Sequence, residues 1–202
     1  MPRDGRLVTL LIARISAVAP SWVMSIELRA WDSEDAPVLQ AAVAESPDLV
    51  TQLPVRDLTD ASACADFIST RLAATGPSTY NFAIAHGGVA VGNVGISSID
   101  RSHDTAWAYY WVTASSRGQG LATRALLTMA AWAIDDLGLF RLELGHRLNN
   151  PGSCRVAIAA GFLPEGIERA KLRYGSDRFD VETHARLRTD PVPTAEPIPM
   201  RF

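Results

Sequence analysis

Residues 105–136 read TAWAYYWVTASSRGQGLATRALLTMAAWAIDD, and the three parts of this stretch decide the fold. Its first third is dense in aromatic side chains, which favour a half-buried strand. From Gly120 onward, apolar residues recur at helical spacing, with Leu121, Ala125 and Met129 on one face. A short segment with two glycines lies between these parts. The stretch therefore predicts a strand, a tight loop and a helix that begins directly after the loop.

The loop is a candidate phosphate-binding site. The first amides of a helix have no partner within the helix, and the helix dipole adds positive potential at that end. Gly118 and Gly120 let the backbone approach a ligand closely, and Arg117 and Arg124 are within reach of phosphate oxygens. The loop lacks the Lys-Ser or Lys-Thr of a P-loop and the three glycines of a dinucleotide fingerprint. Taken alone, it is equally well explained as a glycine turn before a helix.

The segments on both sides of this stretch complete a mixed pattern. Upstream, we predict a strand over 26–31, helices over 32–44 and 60–76, and a hairpin of strands 80–85 and 89–99. Downstream, we predict a strand over 139–144, a short helix to residue 160, and a final hairpin of strands 169–174 and 179–187. This order of strands and helices predicts a single α+β (mixed α/β) domain over 25–190.

The two ends of the chain differ from the predicted domain. Residues 1–24 contain a short apolar run that Arg14 interrupts, too short for a signal peptide core or a membrane span. We expect an N-terminal extension, disordered or loosely attached, with an extra strand as the alternative. Residues 191–202 are rich in proline and are expected to form a flexible tail.

Composition excludes several classes of protein. The net charge of -3 gives no broad basic field, so direct nucleic-acid binding is not expected, and neither is membrane association. The chain has two cysteines, Cys64 and Cys154, and four scattered histidines. Neither set has the close spacing of a zinc site, so no metal is expected. We interpret both thiols as reduced core residues of a cytoplasmic protein.

Two motifs together resemble the GNAT acyltransferase superfamily. Its signature after the fourth strand is Gln/Arg-x-x-Gly-x-Gly/Ala, which Arg117, Gly120 and Ala122 match. Residues 150–153 (Asn-Pro-Gly-Ser) and 159–162 (Ala-Ala-Gly-Phe) are similar to elements of the branch that contains the ribosomal-protein N-terminal acetyltransferases. The resemblance implies a central, mostly antiparallel sheet flanked by helices and splayed between strands 4 and 5. It also implies an acyl-CoA-dependent N-acetyltransferase.

The resemblance implies that acetyl-CoA is a cosubstrate and that no metal cofactor is needed. The pyrophosphate would lie on the glycine loop, and the pantetheine arm would pair with strand 4, often at a bulge. A backbone amide near Val112 would polarise the thioester carbonyl. The expected cofactor-binding residues are Trp111, Val112, Thr113, Arg117, Gly118, Gln119, Gly120, Leu121, Ala122, Thr123 and Asn150.

The resemblance implies a catalytic role for Ser153, which would donate a proton to the departing thiolate. A structural role is also open, because Asn150 and Ser153 fit the cap and first turn of a helix. Relatives often carry a glutamate base in strand 4, where this chain has Trp107. A water relay, a nearby acidic or histidine side chain (Asp100, His103 or Asp104), or an acceptor that arrives as a neutral amine would replace it. Tyr109 and Tyr110 are expected to line the acceptor cleft.

The expected reaction is acetyl transfer to a primary amine, on a protein N-terminus or a small molecule, by direct attack in a ternary complex. A homodimer is compatible with the aromatic-rich strands. Two alternatives stay open: a non-catalytic module that senses acyl-CoA, and an interaction domain without a ligand. The missing strand glutamate motivates the first, and the apolar N-terminal run motivates the second.

Overall fold

The computed structural model describes residues 25–51, 53, 57–74 and 76–201, so the predicted extension over 1–24 lies outside the described residues. In the described part, seven strands form one sheet with helices on both faces. The strands are β1 (Ile26–Arg29), β2 (Tyr80–His86), β3 (Val89–Asp100), β4 (Thr105–Val112), β5 (Arg141–Arg147), β6 (Leu163–Tyr174) and β7 (Asp177–Leu187). The helices are α1 (Ala36–Glu45), α2 (Ala61–Phe67), α3 (Leu121–Asp135) and α4 (Pro151–Ala159). Short 3-10 turns cover Ser33–Asp35, Pro47–Thr51 and Ala114–Ser116, and one π turn, Ile68–Leu72, follows α2.

The sheet has the strand order β1-β2-β3-β4-β5-β7-β6, and its neighbours are antiparallel except for the parallel pair β4 and β5. That pair is joined only where residues 105–107 lie opposite residues 141–143, although both strands continue beyond this point. The Trp107 ring lies against Gly145 of β5, where a β-carbon would come within 3.2 Å of the ring. The predicted mixed sheet and its splay between strands 4 and 5 are therefore confirmed.

Each face of the sheet packs a separate apolar core. Val94, Ile96 and Leu142 pack with the buried side of α3, including Met129. On the other face Leu39 and Cys64, from α1 and α2, pack with Trp111 of β4, as do Ile68 and Leu72 of the π turn. Because side chains alternate along a strand, β4 contributes Ala108 and Val112 to the first core and Trp111 to the second. The same alternation places Tyr109 and Tyr110 on opposite faces of the sheet.

Two segments differ from the sequence-based expectation. Strand β6 begins at Leu163, six residues before the predicted start. Its first half was not predicted because the side chains there are exposed and do not alternate between apolar and polar. Residues 191–202 were expected to form a flexible tail; in the described part of that segment, residues 198–201 lie along β1. The Leu28 amide donates to the Pro199 carbonyl at 2.8 Å, the Arg201 amide donates to the Leu28 carbonyl at 2.8 Å, and Ile198 is buried. Burial of this one apolar side chain and pairing with an edge strand explain the order of the segment.

No helix in the described part of the chain is long and apolar enough to cross a membrane.

Candidate cofactor and acceptor site

A cavity of about 540 Å³ opens where β4 and β5 separate. The starts of α3 and α4 both form its wall, and β4 forms its floor. It brings together ten of the predicted site residues: Trp111, Val112, Arg117, Gly118, Gly120, Leu121, Ala122, Thr123, Asn150 and Ser153. Two predicted residues do not line it, since Thr113 is buried beside it and Gln119 is exposed.

The start of α3 has no side-chain cap. Its N-cap residue is Gly120, which has φ +75 and follows Gly118 with φ +77, so both positions lie in the left-handed region that glycine adopts without strain. The first turn carries no acidic residue, and the first intrahelical bond of this turn runs from the Arg124 amide to the Gly120 carbonyl. The three preceding amides have no partner within the helix and lie at the cavity wall, an arrangement that favours an anion.

The arginines near the loop are engaged differently from what the sequence suggested. The Arg117 guanidinium contacts both carboxylate oxygens of Asp48 at 2.9 and 3.0 Å, and its Nε donates to the Val112 carbonyl at 3.0 Å. Arg124 is turned toward the C-terminal segment, where its Nε donates to the Glu196 carbonyl, and it does not line the cavity. Arg155 of α4 lines the cavity instead. Sequence reasoning missed it, although it lies two residues after Ser153.

The start of α4 is capped and carries a hydroxyl pair. The Asn150 Oδ1 accepts from the Ser153 amide at 3.1 Å, which is the predicted capping role. The Ser153 Oγ lies 2.6 Å from the Tyr110 hydroxyl, which also donates to the Ser153 carbonyl at 3.2 Å. Burial raises the pKa of Tyr110 to about 12, so the phenol keeps its proton at neutral pH.

Tyr109 and Tyr110, both expected in the acceptor cleft, lie on opposite faces of β4. Tyr110 lies on the same face of β4 as Ala108 and Val112, toward α3 and α4, and it lines the cavity of about 540 Å³. Tyr109, on the opposite face, lines a second cavity. Strand alternation was the signal in the sequence that separates the two tyrosines.

The Val112 amide points toward the gap between β4 and β5. The Thr113 amide donates to the Val91 carbonyl at 2.9 Å, and residues along an antiparallel strand alternate between their two edges. The amide and carbonyl of Val112 therefore face away from β3, consistent with the bond from Arg117 to this carbonyl. The β3–β4 register has no shift between Trp107 and Val112, so the expected bulge is absent here. The splay alone makes this amide available to a ligand.

A second cavity of about 490 Å³ lies on the other face of β4. It is lined by Leu53, Phe67, Arg71, Leu72, Thr79, Asn81, Asn93, Tyr109 and Trp111. Its polar wall is a hydrogen-bonded network in which Asn81 Oδ1 accepts from the Tyr109 hydroxyl at 2.9 Å and from Asn93 Nδ2 at 3.1 Å. Trp111 lines both cavities, so only this strand separates them.

The side chains considered as substitute bases cannot reach the site. Asp100, the last residue of β3, and His103 form an exposed pair at 2.8 Å, and His103 and Asp104 belong to the turn before β4. A strand rises about 3.3 Å per residue, so this turn lies roughly 20 Å from Tyr110. Trp107, which stands where a glutamate was expected, packs on Gly145 and has the Lys171 ammonium 5.3 Å from its ring centroid.

Cys154 has close histidine neighbours that the sequence did not reveal. Its Sγ belongs to a group with His146, Glu182 and His184 in which the potential ligand atoms lie within 4.8 Å of one another. The pKa of the thiol is raised, first by burial and then by the Glu182 carboxylate, which disfavours a free thiolate nucleophile. His146 lies eight residues before Cys154, whereas Glu182 and His184 follow it by 28 and 30 residues, so the sequence spacing did not show the four as one group.

Comparison with known proteins identifies the family. The fold is similar to a solved RimL ribosomal L7/L12 alpha-N-protein acetyltransferase in complex with coenzyme A (TM-score 0.70, 22% identity, 81% of this chain and 94% of that chain). It is also similar to the microcin C7 self immunity acetyltransferase MccE in complex with acetyl-CoA and AMP (TM-score 0.71, 18% identity, 81% and 92%).

Among curated relatives, the probable N-acetyltransferase YjcK of Bacillus subtilis (strain 168) is 33% identical over 101 residues, which cover 50% of this chain and 56% of the relative. The ribosomal-protein-serine acetyltransferase of Escherichia coli (strain K12) is 30% identical over 98 residues, covering 48% and 54%. The chain thus spans about half the length of the curated relatives it matches. Residues 25–163 match the acetyltransferase (GNAT) domain model. The chain therefore belongs to the GNAT acetyltransferase family.

Proposed function

We propose that this protein transfers an acetyl group from acetyl-CoA to a primary amine by direct attack in a ternary complex. One observation carries the proposal: a single cavity holds the uncapped start of α3, the open Val112 amide and the Tyr110–Ser153 hydroxyl pair. These groups match the three needs of the reaction, namely phosphate binding, polarisation of a carbonyl and protonation of a leaving thiolate. Family membership supports the assignment, as do relatives named as complexes with coenzyme A or acetyl-CoA.

The cofactor would follow the cavity from α3 to α4. Its pyrophosphate would accept bonds from the amides of Gly118, Gly120 and the first turn of α3, with Arg117 exchanging Asp48 for phosphate oxygens. The pantetheine arm would lie along the free edge of β4 and reach the Asn150 amide group. The thioester carbonyl would then accept from the Val112 amide.

The chemical step needs few side chains. The amine nitrogen attacks the thioester carbon, a C–N bond forms, and the Val112 amide stabilises the oxyanion. The C–S bond then breaks, the thiolate takes a proton from the hydroxyl pair of Ser153 and Tyr110, and water returns a proton to that pair. The attacking nitrogen loses its proton to water. Most of the acceleration comes from holding amine and thioester together, which is worth up to about 7–11 kcal/mol.

We propose that the acceptor approaches from the second cavity, across Trp111, and that it is a protein N-terminus in preference to a small molecule. Relatives named for ribosomal-protein acetylation support this choice. The absence of a carboxylate at Trp107 supports it as well, because an α-amino group with a pKa of about 7.7–8.0 is partly neutral without a base. A strongly basic side-chain amine would need that base.

Location and assembly belong to the same proposal. A cytoplasmic protein is consistent with two free thiols, Cys64 and Cys154. A homodimer is consistent with β6, an edge strand on which Leu163 and Ile167 are each more than half exposed. Size-exclusion chromatography with light scattering distinguishes a dimer from a monomer.

The decisive experiment combines binding and turnover. Calorimetry with acetyl-CoA is expected to show one site per chain, and free-thiol release is expected with peptides that begin with a free serine amine. A panel that includes N-acetylated peptides and polyamines tests the choice of acceptor. No binding at millimolar acetyl-CoA would overturn the proposal, whereas binding without turnover on the whole panel would favour the sensing module.

A further inference from the structure

A second cluster of reactive side chains lies on the sheet under α4, outside the cofactor cavity. It comprises His146 from β5, Glu182 and His184 from β7, and Cys154 from α4. We propose that these four side chains bind one divalent transition metal of the zinc class, and that this metal ties the start of α4 to the sheet. Acetyl transfer does not require this ion, so the proposal concerns a structural site and goes beyond the proposed function.

The protonation state of the two histidines carries the first step. His146 Nδ1 lies 3.1 Å from the Arg147 carbonyl, and His184 Nδ1 lies 3.1 Å from the Phe162 carbonyl. A carbonyl oxygen only accepts, so both Nδ1 atoms carry the proton. In a neutral imidazole the Nε2 atom then presents a lone pair. Backbone carbonyls that fix the tautomer in this way are the usual outer partners of metal-binding histidines.

The two lone pairs meet at one point. His146 Nε2 and His184 Nε2 are 3.0 Å apart, and both lie beside the same carboxylate oxygen of Glu182, at 3.2 and 3.1 Å. Three electron-rich atoms this close repel one another unless a positive centre, either a metal ion or a shared proton, lies among them. A metal ion supplies that centre, and it explains why the group is gathered at a site where both histidines are buried, with 7% and 1% of their surfaces exposed.

The geometry and the donor set select the metal. Zinc–ligand bonds of about 2.0–2.3 Å in a tetrahedral site place the ligand atoms roughly 3.3–3.8 Å from one another. The nitrogen–oxygen distances here are close to this range, and all four potential ligand atoms lie within 4.8 Å of one another. Imidazole and thiolate donors favour zinc over magnesium or calcium. One thiolate and one carboxylate also balance the charge of a divalent ion. On binding, the Cys154 thiol proton would be released to solvent.

The link to the cofactor site is the chain itself, because Cys154 follows Ser153 directly in the first turn of α4. A metal at Cys154 would hold that turn against β5 and β7 independently of the Asn150 cap. The competing explanation is a proton shared between the two Nε2 atoms beside Glu182, which satisfies the same lone pairs without an ion.

The test uses the full chain with any affinity tag removed, because a histidine tag binds the same metals. After dialysis against EDTA, one equivalent of Zn²⁺ is added, the protein is desalted, and its zinc content and melting temperature are measured. We expect about one zinc per chain and a higher melting temperature, with no such effect from Mg²⁺. Wild-type protein that retains no zinc would overturn the proposal in favour of the shared proton. An equal shift with Mg²⁺ would overturn the thiolate–imidazole site.

Cobalt substitution identifies the ligands. Co²⁺ is expected to produce the visible bands of a tetrahedral site and a near-ultraviolet band from a thiolate ligand. Cys154→Ser should remove the thiolate band and weaken Zn²⁺ binding at least about tenfold. Loss of a hydrogen-bond partner of a ligand already weakens metal binding about tenfold, and loss of a ligand should weaken it at least as much. The matched control Cys64→Ser changes the other thiol and should leave the band intact, as should His103→Ala. Circular dichroism of metal-free Cys154→Ser checks that it folds. A band that persists in this variant would contradict the assignment.

Discussion

The N-termini of α3 and α4 face the same cavity but are capped differently. At α3 the N-cap is Gly120, which has no side chain, and the first-turn amides are left for a ligand. At α4 the N-cap is Asn150, which takes up the Ser153 amide and leaves the Ser153 hydroxyl beside Tyr110. The open helix start is suited to hold charge, and the capped start is suited to hold side chains in fixed positions.

A helix start without a side-chain cap lowers stability, so it is expected on a helix that is well packed against the rest of the fold. A glycine at the N-cap costs only about a few tenths of a kcal/mol relative to a capping side chain, and the dipole at a helix start repels any cation there. Helix α3 spans 15 residues, and nine of them are buried, so packing against the sheet outweighs that cost. Helix α4 is shorter, has one buried residue, and depends more on its cap. The two designs follow from the burial of the two helices.

The largest expected effect is at the capped start. Ser153→Ala and Tyr110→Phe each remove one hydroxyl of the pair, and each should lower kcat about 100-fold, the usual size of a proton-transfer contribution. Acetyl-CoA affinity measured by calorimetry should change little, because neither hydroxyl is assigned to phosphate binding. If both hydroxyls act as one relay, the double variant should be no slower than the slower single variant.

The pH dependence of kcat provides the control for this pair. The raised pKa of Tyr110, about 12, keeps the phenol protonated well above neutral pH. The protonated Tyr110 phenol stabilises the folded protein fully below about pH 10, the usual pKa of tyrosine, and this stabilisation is lost as the pH rises toward about 12, the pKa in the folded protein. Over the same range below about pH 10 the phenol keeps the proton that the reaction uses. Wild-type kcat should therefore not decline below about pH 10. A decline with a midpoint near pH 8 would assign the proton to another group.

The second effect tests the open start. Thr123→Asp places a carboxylate in the first turn of α3, where the helix dipole favours it by about 0.3–1 kcal/mol, so the melting temperature should be unchanged or slightly raised. The same charge repels a pyrophosphate, and a cost of about 2 kcal/mol at short range corresponds to a loss of roughly 30-fold in acetyl-CoA affinity. Thr123→Asn is the uncharged control. Equal affinity for the two variants would show that the pyrophosphate lies elsewhere.

The sequence predicted the open start better than the capped one. Gly118, Gly120 and the helical pattern behind them are local signals, and the order of strands and helices around them was recovered almost completely. The partner of Ser153 was missed because Tyr110 lies 43 residues away. The group around Cys154 was missed because it is assembled across three elements. Local patterns define elements, whereas contacts between elements appear only when the chain is folded.

A smaller effect separates the two roles of Asn150. Asn150→Ala removes both the cap and the amide group, and it should lower the free energy of unfolding by about 1 kcal/mol in chemical denaturation. Asn150→Ser keeps an oxygen for the Ser153 amide and should restore most of that stability. If the amide group also binds the pantetheine arm, acetyl-CoA affinity should remain several-fold weaker in both variants. If Asn150→Ser binds acetyl-CoA as tightly as the wild type, Asn150 serves only as the helix cap.

The smallest effect concerns Arg117, which joins the open start to the 3-10 turn Pro47–Thr51. In the structure Asp48 holds its guanidinium, so a phosphate must displace that carboxylate. Pairs as exposed as this one contribute about 0.2–1 kcal/mol, so Asp48→Asn should tighten acetyl-CoA binding by about threefold at low salt and by less at high salt. Glu45→Gln is the control for net charge, because it also removes one negative charge but the Glu45 carboxylate contacts Ser115 and not Arg117. Weaker binding in Asp48→Asn would mean that Asp48 orients Arg117 toward the phosphates and does not compete with them.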